Sequence, residues 1–218
     1  CDLYQVYGLT ETTGAITIMM PEDHDPKRGK LRSCGKALKG VELKVVDENG
    51  KELKTGEIGQ VISKSDLNMK GYWNKPDATK ESIFDGWFYS GDAGYFYEEN
   101  YLFIHDRVKD MIVSGGENIY PAEVENALMS HEKILDAAVV GVPDEKWGEA
   151  VKAFVVLSDS SLDEDQIISY ARTKIAGYKC PRSINFISEL PRNPSGKILR
   201  RELRLSLIHI SEPTRQAT

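Results

Sequence analysis

Long apolar runs are missing from this sequence. No stretch approaches the roughly 18 residues that a membrane-spanning helix needs. A basic excess is missing too. Lys and Arg number 28 against 34 Asp and Glu, a formal net charge of −6. Such a chain lacks the electrostatic footprint of a general nucleic-acid binder. Cysteine is scarce: Cys1, Cys34 and Cys180 are odd in number and widely spaced, with no CxxC and no clustered histidines. That pattern argues against a disulfide scaffold and against a zinc site, and leaves a reducing cytoplasmic setting as the expectation. The opening residues, CDLYQVYG, carry neither the basic n-region nor the apolar h-region of a signal peptide. What is present is globular composition, 40% hydrophobic and 9% aromatic over 218 residues. It can bury a core and argues against a disordered chain.

Leu3–Gly8 reads as a buried strand running into a turn, so the chain is expected to open in the middle of a domain. Val41–Val46 alternates, Asn49-Gly50 supplies a tight turn, and Glu57–Ile62 reads as the returning strand of a hairpin. Pro76–Ile83 is a short helix with Pro in its first turn. Trp87–Tyr89, Ala93–Tyr97 and Tyr101–His105 read as aromatic-rich strands. The last two are joined by Glu98-Glu99-Asn100, where Asn can take a left-handed position.

The charged run Asp106-Arg107-Val108-Lys109-Asp110, followed by Gly115-Gly116, marks a domain boundary, with residues 1–106 before it and 107–204 after it. Beyond it the expected order is strand (Met111–Ser114), helix (Pro121–Met129), strands (Ala137–Val142 and Val151–Leu157), helix (Asp163–Ile175) and strand (Ile184–Ile187). This is a small α+β domain of about 95 residues, an ordinary size for an independent unit. Its second helix is expected to start with a capping box of Ser161 and Glu164 and to bury Ile167, Ala171 and Ile175. Leu205–Arg215, LSLIHISEPTR, alternates like a strand where a terminal helix should end. Residues 205–218 read as an adapter-derived artefact and are set aside from fold reasoning.

Four stretches carry residue types suited to chemistry. In Tyr7-Gly8-Leu9-Thr10-Glu11, an aromatic can stack on a base, a hydroxyl can bond a phosphate and a carboxylate can hold a hard cation such as Mg²⁺. A helix cap explains the Thr-Glu pair equally well. In Tyr89-Ser90-Gly91-Asp92, Gly lets backbone approach a ligand and Asp can accept from two ribose hydroxyls. Taken alone, an ordinary Gly-Asp turn is the simpler reading. The run from Asp106 to Ile112, followed by Gly115-Gly116-Glu117, could be no more than a solvated linker and a flexible loop. Pro191–Lys197 presents one Lys on a Pro- and Gly-rich loop. It is not a P-loop, because Pro191 replaces the first Gly of GxxxxGK[ST] and Ile198 replaces its hydroxyl residue.

The order of the motifs is more specific than any one of them. YGLTE (7–11), TGEIG (55–59) with GYW (71–73), YSGD (89–92), DRVKD (106–110) with GGENIYPAEVE (115–125), and PRNPSGK (191–197) together resemble the adenylate-forming superfamily, and within it the acyl-CoA synthetases of fatty-acid type. The resemblance covers residues 1–204. It implies a fold of α/β and α+β parts: the β-rich C-terminal part of a large AMP-binding domain, then a small mobile α+β lid. It also implies that the phosphate loop and most of the acyl tunnel lie upstream, so that the 218 residues are a fragment expected to be inactive alone.

By the same resemblance Tyr7 stacks on adenine, Thr10 meets phosphate, Glu11 binds Mg²⁺, and Asp92 and Arg107 hold the ribose. Ser90 keeps the hydroxyl of a position where Thr is common. Lys109 is the hinge of the lid, Gly115 and Gly116 help to form the pantetheine passage, and Lys197 is the adenylation lysine. Tyr178 stacks on the adenine of coenzyme A, with Lys179 or Arg182 at its phosphates. Cys180 stands where some relatives have a cation, and Trp147 is either part of this site or lid core. The implied substrates are ATP, coenzyme A and a carboxylic acid, a fatty acid first. Two other readings stay open. One is a relative with another acceptor, an adenylation domain loading a carrier protein or an oxidative enzyme of the luciferase kind. The other is a non-catalytic nucleotide-binding module.

Overall fold

The computed structural model describes residues 1–159, 161–194 and 196–210. The chain forms two compact units that divide between Lys109 and Asp110.

In the first unit, β1 (Gln5–Leu9), β2 (Gly14–Met19) and β3 (Lys36–Ala37) make an antiparallel three-stranded sheet in that order. The strand expected at Leu3–Gly8 is present but not buried. Val6 is 56% exposed while Tyr7 packs inward, because a strand of period two turns alternate residues to opposite faces and only one face here is covered. A five-stranded antiparallel sheet follows, built from β4 (Glu42–Val46), β5 (Gly59–Lys64), β6 (Ile83–Phe84), β7 (Trp87–Phe96) and β8 (Leu102–Arg107). The Asn49-Gly50 turn lies where expected. Asp47 caps it by accepting from the Asn49 and Lys51 amides, each at 2.9 Å. Lys51-Glu52 then pairs only as a single bridge, Glu52 to Val46, and the true partner of β4 starts at Gly59 rather than Glu57. Helix α1 (Pro76–Ser82) has Pro at its first turn.

Two expected strands, Trp87–Tyr89 and Ala93–Tyr97, are one strand, β7. Its partner β5 passes from Gln60 to Ile62 while β7 passes from Ala93 back to Tyr89. Ser90-Gly91-Asp92 is therefore the crown of a bulge, not a turn between elements. The bulge needs Gly91, whose φ is +72°, a region an L side chain enters only with strain. Asn100 takes the left-handed position foreseen for it, with φ +62°, and Glu99 does so as well, with φ +57°.

The second unit begins with β9 (Ile112–Ser114) and β10 (Glu117–Ile119). The expected flexible loop between them is a two-residue hairpin: Ser114 pairs with Glu117, and Gly115 and Gly116 both have positive φ, +62° and +85°. Helix α2 (Pro121–Met129) has the bounds expected of it. It leads into β11 (Ile134–Asp144), β12 (Gly148–Leu157), α3 (Glu164–Arg172), β13 (Ser183–Phe186) and α4 (Arg200–Ile210). The sheet order is β10-β9-β12-β11, with β13 also beside β12 in the single parallel pairing among the described strands.

Both faces of this sheet are covered. Ala137 and Val139 face a core shared with Val124 and Leu128 of α2 and with Ile167 and Ala171 of α3. Ala138 and Val140 face a smaller cluster with Leu190 and Leu203. Burial on both faces explains why β11 reads as a continuous apolar run instead of an alternation. The capping box at α3 is Asp163 with Gln166, not Ser161 with Glu164. Asp163 accepts from the Gln166 amide at 2.8 Å and the Gln166 side chain accepts from the Asp163 amide at 3.0 Å. Ser161 instead accepts from Lys133 Nζ at 2.7 Å. Leu205–Ile210, which alternates like a strand, is helical and continues α4, and Leu207 packs on the smaller cluster. Residues 211–218 lie outside the described residues.

An ion pair ties α4 to α2. Arg200 Nη2 meets both Glu125 oxygens at 2.7 and 2.9 Å, with the two side chains 15% and 13% exposed. Glu125 also accepts from the Val139 amide at 2.8 Å, and Asp110 stands 4.0 Å from Arg200. Removing one member of such a pair strands the other, at a cost of about 3 kcal/mol. Glu125→Ala should destabilise the second unit by about that much, read as lost hydrogen-exchange protection in β11 and β12. In the first unit Tyr101 is buried beneath the Lys30 and Lys36 ammonium groups, 3.9 and 4.6 Å from its ring. Burial, and then its hydrogen bond to Asp23, push its phenol up to about 12. An unfolded Tyr titrates near 10, so below pH of about 10 both states hold the proton. Between about 10 and 12 only the folded state keeps it, and stability falls with rising pH. The denaturant midpoint should decline over that range, with a shallower decline in Tyr101→Phe.

Candidate nucleotide site

The first unit gathers five of the sequence-predicted residues into one cluster. β1 ends in a single turn of 3-10 helix, Thr10–Thr12. Thr12, fully buried, holds that turn: its Oγ1 accepts from the Leu9 amide at 2.9 Å and donates to the Gly14 carbonyl at 2.7 Å. The turn leaves Thr10 exposed and Glu11 half-buried. Thr10, Glu11 and Arg107 line a cleft of about 620 Å³, with Gly8 and Gly14 in its wall.

Arg107 lies directly across from Asp92 in the β7–β8 pairing, its Nε forms an ion pair with Asp92 Oδ1 at 2.9 Å, and its Nη1 donates to the Ser90 carbonyl at 3.3 Å. The Asp92 side chain is only 9% exposed. Its other oxygen accepts from the Tyr7 hydroxyl at 2.7 Å. Ser90 fixes the bulge beneath: its Oγ donates to the Val61 carbonyl at 2.6 Å and accepts from the Asp92 amide at 3.0 Å. The Tyr7 ring packs on the Val45, Val61 and Leu102 cluster. Burial, then the charge of Asp92, hold its phenol far above the ordinary tyrosine range.

Tyr72 is a member of the cluster that sequence reasoning missed. Its hydroxyl donates to Glu11 Oε1 at 2.9 Å, and the Met69 amide donates to the Glu11 carbonyl at 2.7 Å. Burial, followed by the bond to Glu11, raises its phenol above the usual value. The GYW motif was the available signal, but nothing in its spacing points to Glu11, 61 residues away. Among the described residues no group of three or more His, Cys, Asp or Glu side chains is placed to hold a metal. A lone carboxylate with one oxygen taken by Tyr72 suits a Mg²⁺ ion carried mainly by phosphate oxygens and water.

Lys109 is exposed in the turn Val108–Asp110 and is the last residue of the first unit. The remaining predicted residues belong to the second unit. Gly115 packs on Trp147: its amide donates to the Trp147 carbonyl at 2.8 Å, and a Cβ there would lie 2.7 Å from the indole ring. Trp147 is 36% exposed, with Arg182 and Lys146 at 5.3 and 4.8 Å from its ring, so it is a surface platform more than core. Gly116 has open space around it. Tyr178 is exposed, but Lys179 is engaged with both oxygens of Glu123 at 2.8 Å. Cys180 points into the core, and burial raises its thiol.

Lys197 is exposed at the end of a braced loop. The Asn193 amide donates to the Lys197 carbonyl at 2.9 Å, and Asn193 Oδ1 accepts from the Lys197 amide at 2.8 Å. Arg192 donates to the Gly196 carbonyl at 2.7 Å and to Asp136 of β11 at 2.6 Å. Ser195 lies outside the described residues.

Two family models match the chain, the AMP-binding enzyme model over residues 1–73 and the AMP-binding enzyme C-terminal domain over residues 123–197. A fatty acid–[acyl-carrier-protein] ligase of Streptomyces coeruleorubidus is 45% identical over 205 residues, 94% of this chain and 40% of the relative. A long-chain-fatty-acid–CoA ligase of Mycobacterium tuberculosis is 44% identical over 203 residues, 93% of this chain and 40% of the relative. Among solved structures, the o-succinylbenzoate CoA synthetase of Bacillus subtilis in complex with its acyl-adenylate intermediate superposes with a TM-score of 0.85 at 38% identity, over 93% of this chain and 41% of that one. The chain spans about two fifths of the length of the curated relatives it matches. By sequence and by fold, then, the chain belongs to the AMP-binding, adenylate-forming enzymes.

Proposed function

We propose that these residues serve an ATP-dependent acyl-CoA synthetase that works through an acyl-adenylate, with a fatty acid as the carboxylate substrate. The observation that carries the reading is the Asp92 carboxylate, raised on the Gly91 bulge and paired with Arg107, whose side chain lines the cleft that also presents Thr10 and Glu11. Such a set suits a nucleotide monophosphate: a carboxylate for the ribose hydroxyls, a hydroxyl for the phosphate, and Glu11 for Mg²⁺. The fatty-acid assignment draws on the ligases of Streptomyces and Mycobacterium, whose names give that substrate.

In the first half-reaction a carboxylate oxygen of the acid attacks the α-phosphorus of ATP, and the bond to pyrophosphate breaks. Lys197 supplies positive charge to the α-phosphate. A Lys ammonium is a compact point charge on a flexible stem. At about 4 Å and an effective dielectric near 20 it is worth roughly 4 kcal/mol before desolvation. In the second half-reaction the thiolate of coenzyme A attacks the acyl carbonyl and AMP leaves. Gly115, Gly116 and Tyr178 serve that thiol and its nucleotide, and the chain turns at Lys109 between the two steps. The relatives are more than twice as long as this chain, and the activity is proposed for the longer enzyme that contains these residues. The setting is cytoplasmic. A carrier protein as acceptor is the second reading, favoured by the Streptomyces ligase, whose name gives that acceptor.

Pyrophosphate exchange dependent on a carboxylic acid, and thioester formation from a synthetic acyl-adenylate, test the two steps separately. In the enzyme that contains these residues, Lys197→Ala should slow adenylation by about 10²–10³-fold and leave transfer from pre-formed adenylate intact. Equal slowing of both steps would remove Lys197 from the α-phosphate. Lys109→Pro should form adenylate yet fail to transfer it, because Pro fixes φ near −65° at a residue whose backbone must change. Normal turnover in that variant would move the hinge elsewhere. Fatty acids, 2-succinylbenzoate and ferulate compared as substrates, with coenzyme A and a carrier protein as acceptors, decide the specificity.

A further inference from the structure

We infer that Tyr72 is a positioning residue for the Mg²⁺-dependent part of ATP binding, because its hydroxyl holds the Glu11 carboxylate in place. The inference rests on the proposed reading that Glu11 takes Mg²⁺. Glu11 lines the cleft from the turn Thr10–Thr12. A Glu side chain has considerable rotamer freedom, and ordering it costs free energy unless a partner holds it beforehand. The Tyr72 hydroxyl is that partner, donating to Oε1 at 2.9 Å. A bond to an ionised carboxylate is among the stronger hydrogen bonds. Mg²⁺ demands near-octahedral geometry at short distances, so a misdirected carboxylate is felt at once.

Tyr72 can hold Glu11 because its own segment is fastened at both ends. At one end Asn68 Nδ2 donates to the carbonyl of Ser63 on β5 at 2.9 Å. At the other the Tyr72 amide donates to Thr79 Oγ1 of α1 at 2.9 Å. Gly71 between them has φ +151°, and a Cβ there would lie 2.7 Å from the Thr79 methyl. The same segment grips the turn that carries Glu11. The Met69 amide donates to the Glu11 carbonyl at 2.7 Å, and Thr13 Oγ1 donates to the Leu67 carbonyl at 2.6 Å. Thr13 is held at φ +58°, a conformation that a β-branched residue enters only with strain and keeps only where its surroundings impose it. Two of the three bonds fix the backbone of the turn. The third, from Tyr72, is the one that reaches the side chain, and it can be removed alone.

The test is ATP binding, by calorimetry, to the longer enzyme that contains these residues, with ATP plus Mg²⁺ and ATP plus EDTA as the two arms. The wild-type enzyme should bind more tightly in the Mg²⁺ arm. In Tyr72→Phe the ring and every backbone bond of the segment remain. Its gain from Mg²⁺ should fall about tenfold while binding in EDTA holds, the scale on which partners that orient metal ligands usually act. Glu11→Gln should lose the same gain, and the double variant should lose little more, as expected when one group acts through the other. Fully additive losses overturn the inference. A merely structural role for the hydroxyl would weaken both arms together, and that result overturns it as well. An unchanged gain in Tyr72→Phe beside a lost gain in Glu11→Gln overturns the inference and leaves the reading of Glu11 standing. An unchanged gain in Glu11→Gln, or a wild-type enzyme with no gain from Mg²⁺, removes the metal from Glu11 and the inference with it. Should Tyr72→Phe fail to fold, Tyr72→Met, which also lacks the hydroxyl, is read in the same two arms: an unchanged gain overturns the inference.

Discussion

A carboxylate nine-tenths buried has to be met by donors, and the first unit is organised around meeting one. Burying an unpaired carboxylate costs several kcal/mol at least. Asp92 avoids that cost with a guanidinium on one oxygen and a phenol on the other. These two partners come from separate elements. Arg107 is its cross-strand neighbour on β8, and Tyr7 arrives from β1 in a different sheet. The bulge at Ser90–Asp92 is what lets one carboxylate face both. In a regular strand, residues 90 and 92 would share one face and Asp92 would lie in register with the β5 ladder. With Gly91 at positive φ, Ser90 turns to the Val61 carbonyl and Asp92 is freed for its ion pair with Arg107 and its hydrogen bond from Tyr7. The local breach of strand regularity is the structural origin of the site.

The two units differ in how they are stabilised. The second covers both faces of its sheet with its own helices and loops, and its core joins residues from every major element. The first relies more on polar ties. Lys30, only 4% exposed, pairs with Glu99 at 2.8 Å and lies over Tyr101, while Arg28 pairs with Asp23 at 2.7 Å. Its exposed apolar residues include Leu3, Val6 and Trp73. The buried phenol of Tyr101 makes the stability of the first unit fall as pH rises through the alkaline range.

Much of this was legible in the sequence, and the misses share a cause. Helices α1 and α2 fell within a residue of their expected bounds because Pro at the first turn and apolar period are local signals. The Tyr7, Asp92 and Arg107 grouping came from the order of motifs, and no local pattern gives the hydrogen bonds among them. The bulge, the Gly115-Gly116 hairpin and the link from Tyr72 to Glu11 all depend on which strand lies opposite, which a single chain does not reveal. The capping error is instructive. Ser161 and Asp163 both have an acceptor-type partner three residues on, Glu164 and Gln166. The box forms at Asp163, two residues later, where the amphipathic stripe that buries Ile167 and Ala171 actually begins.

The same contrast between local chemistry and its support bears on Lys197. A lysine stem carries several rotatable bonds, so a charge at its tip is poorly placed unless its root is fixed. Here the root is fixed three ways. Asn193 closes the loop on both the amide and the carbonyl of Lys197. Arg192 clamps the Gly196 carbonyl and, through Asp136, fastens the loop to β11. Immediately after the loop, Arg200 locks α4 to Glu125 and, through it, to the Val139 amide of the same strand. Both ends of the loop are thus tied to β11, the longest strand in the core of the second unit. On the proposed reading, a lysine that must arrive at a phosphate and leave again does so with the whole unit as a rigid carrier. The flexible part of the device is then the lysine stem and the turn at Lys109, and the charged side chains around the loop serve to keep every other degree of freedom still.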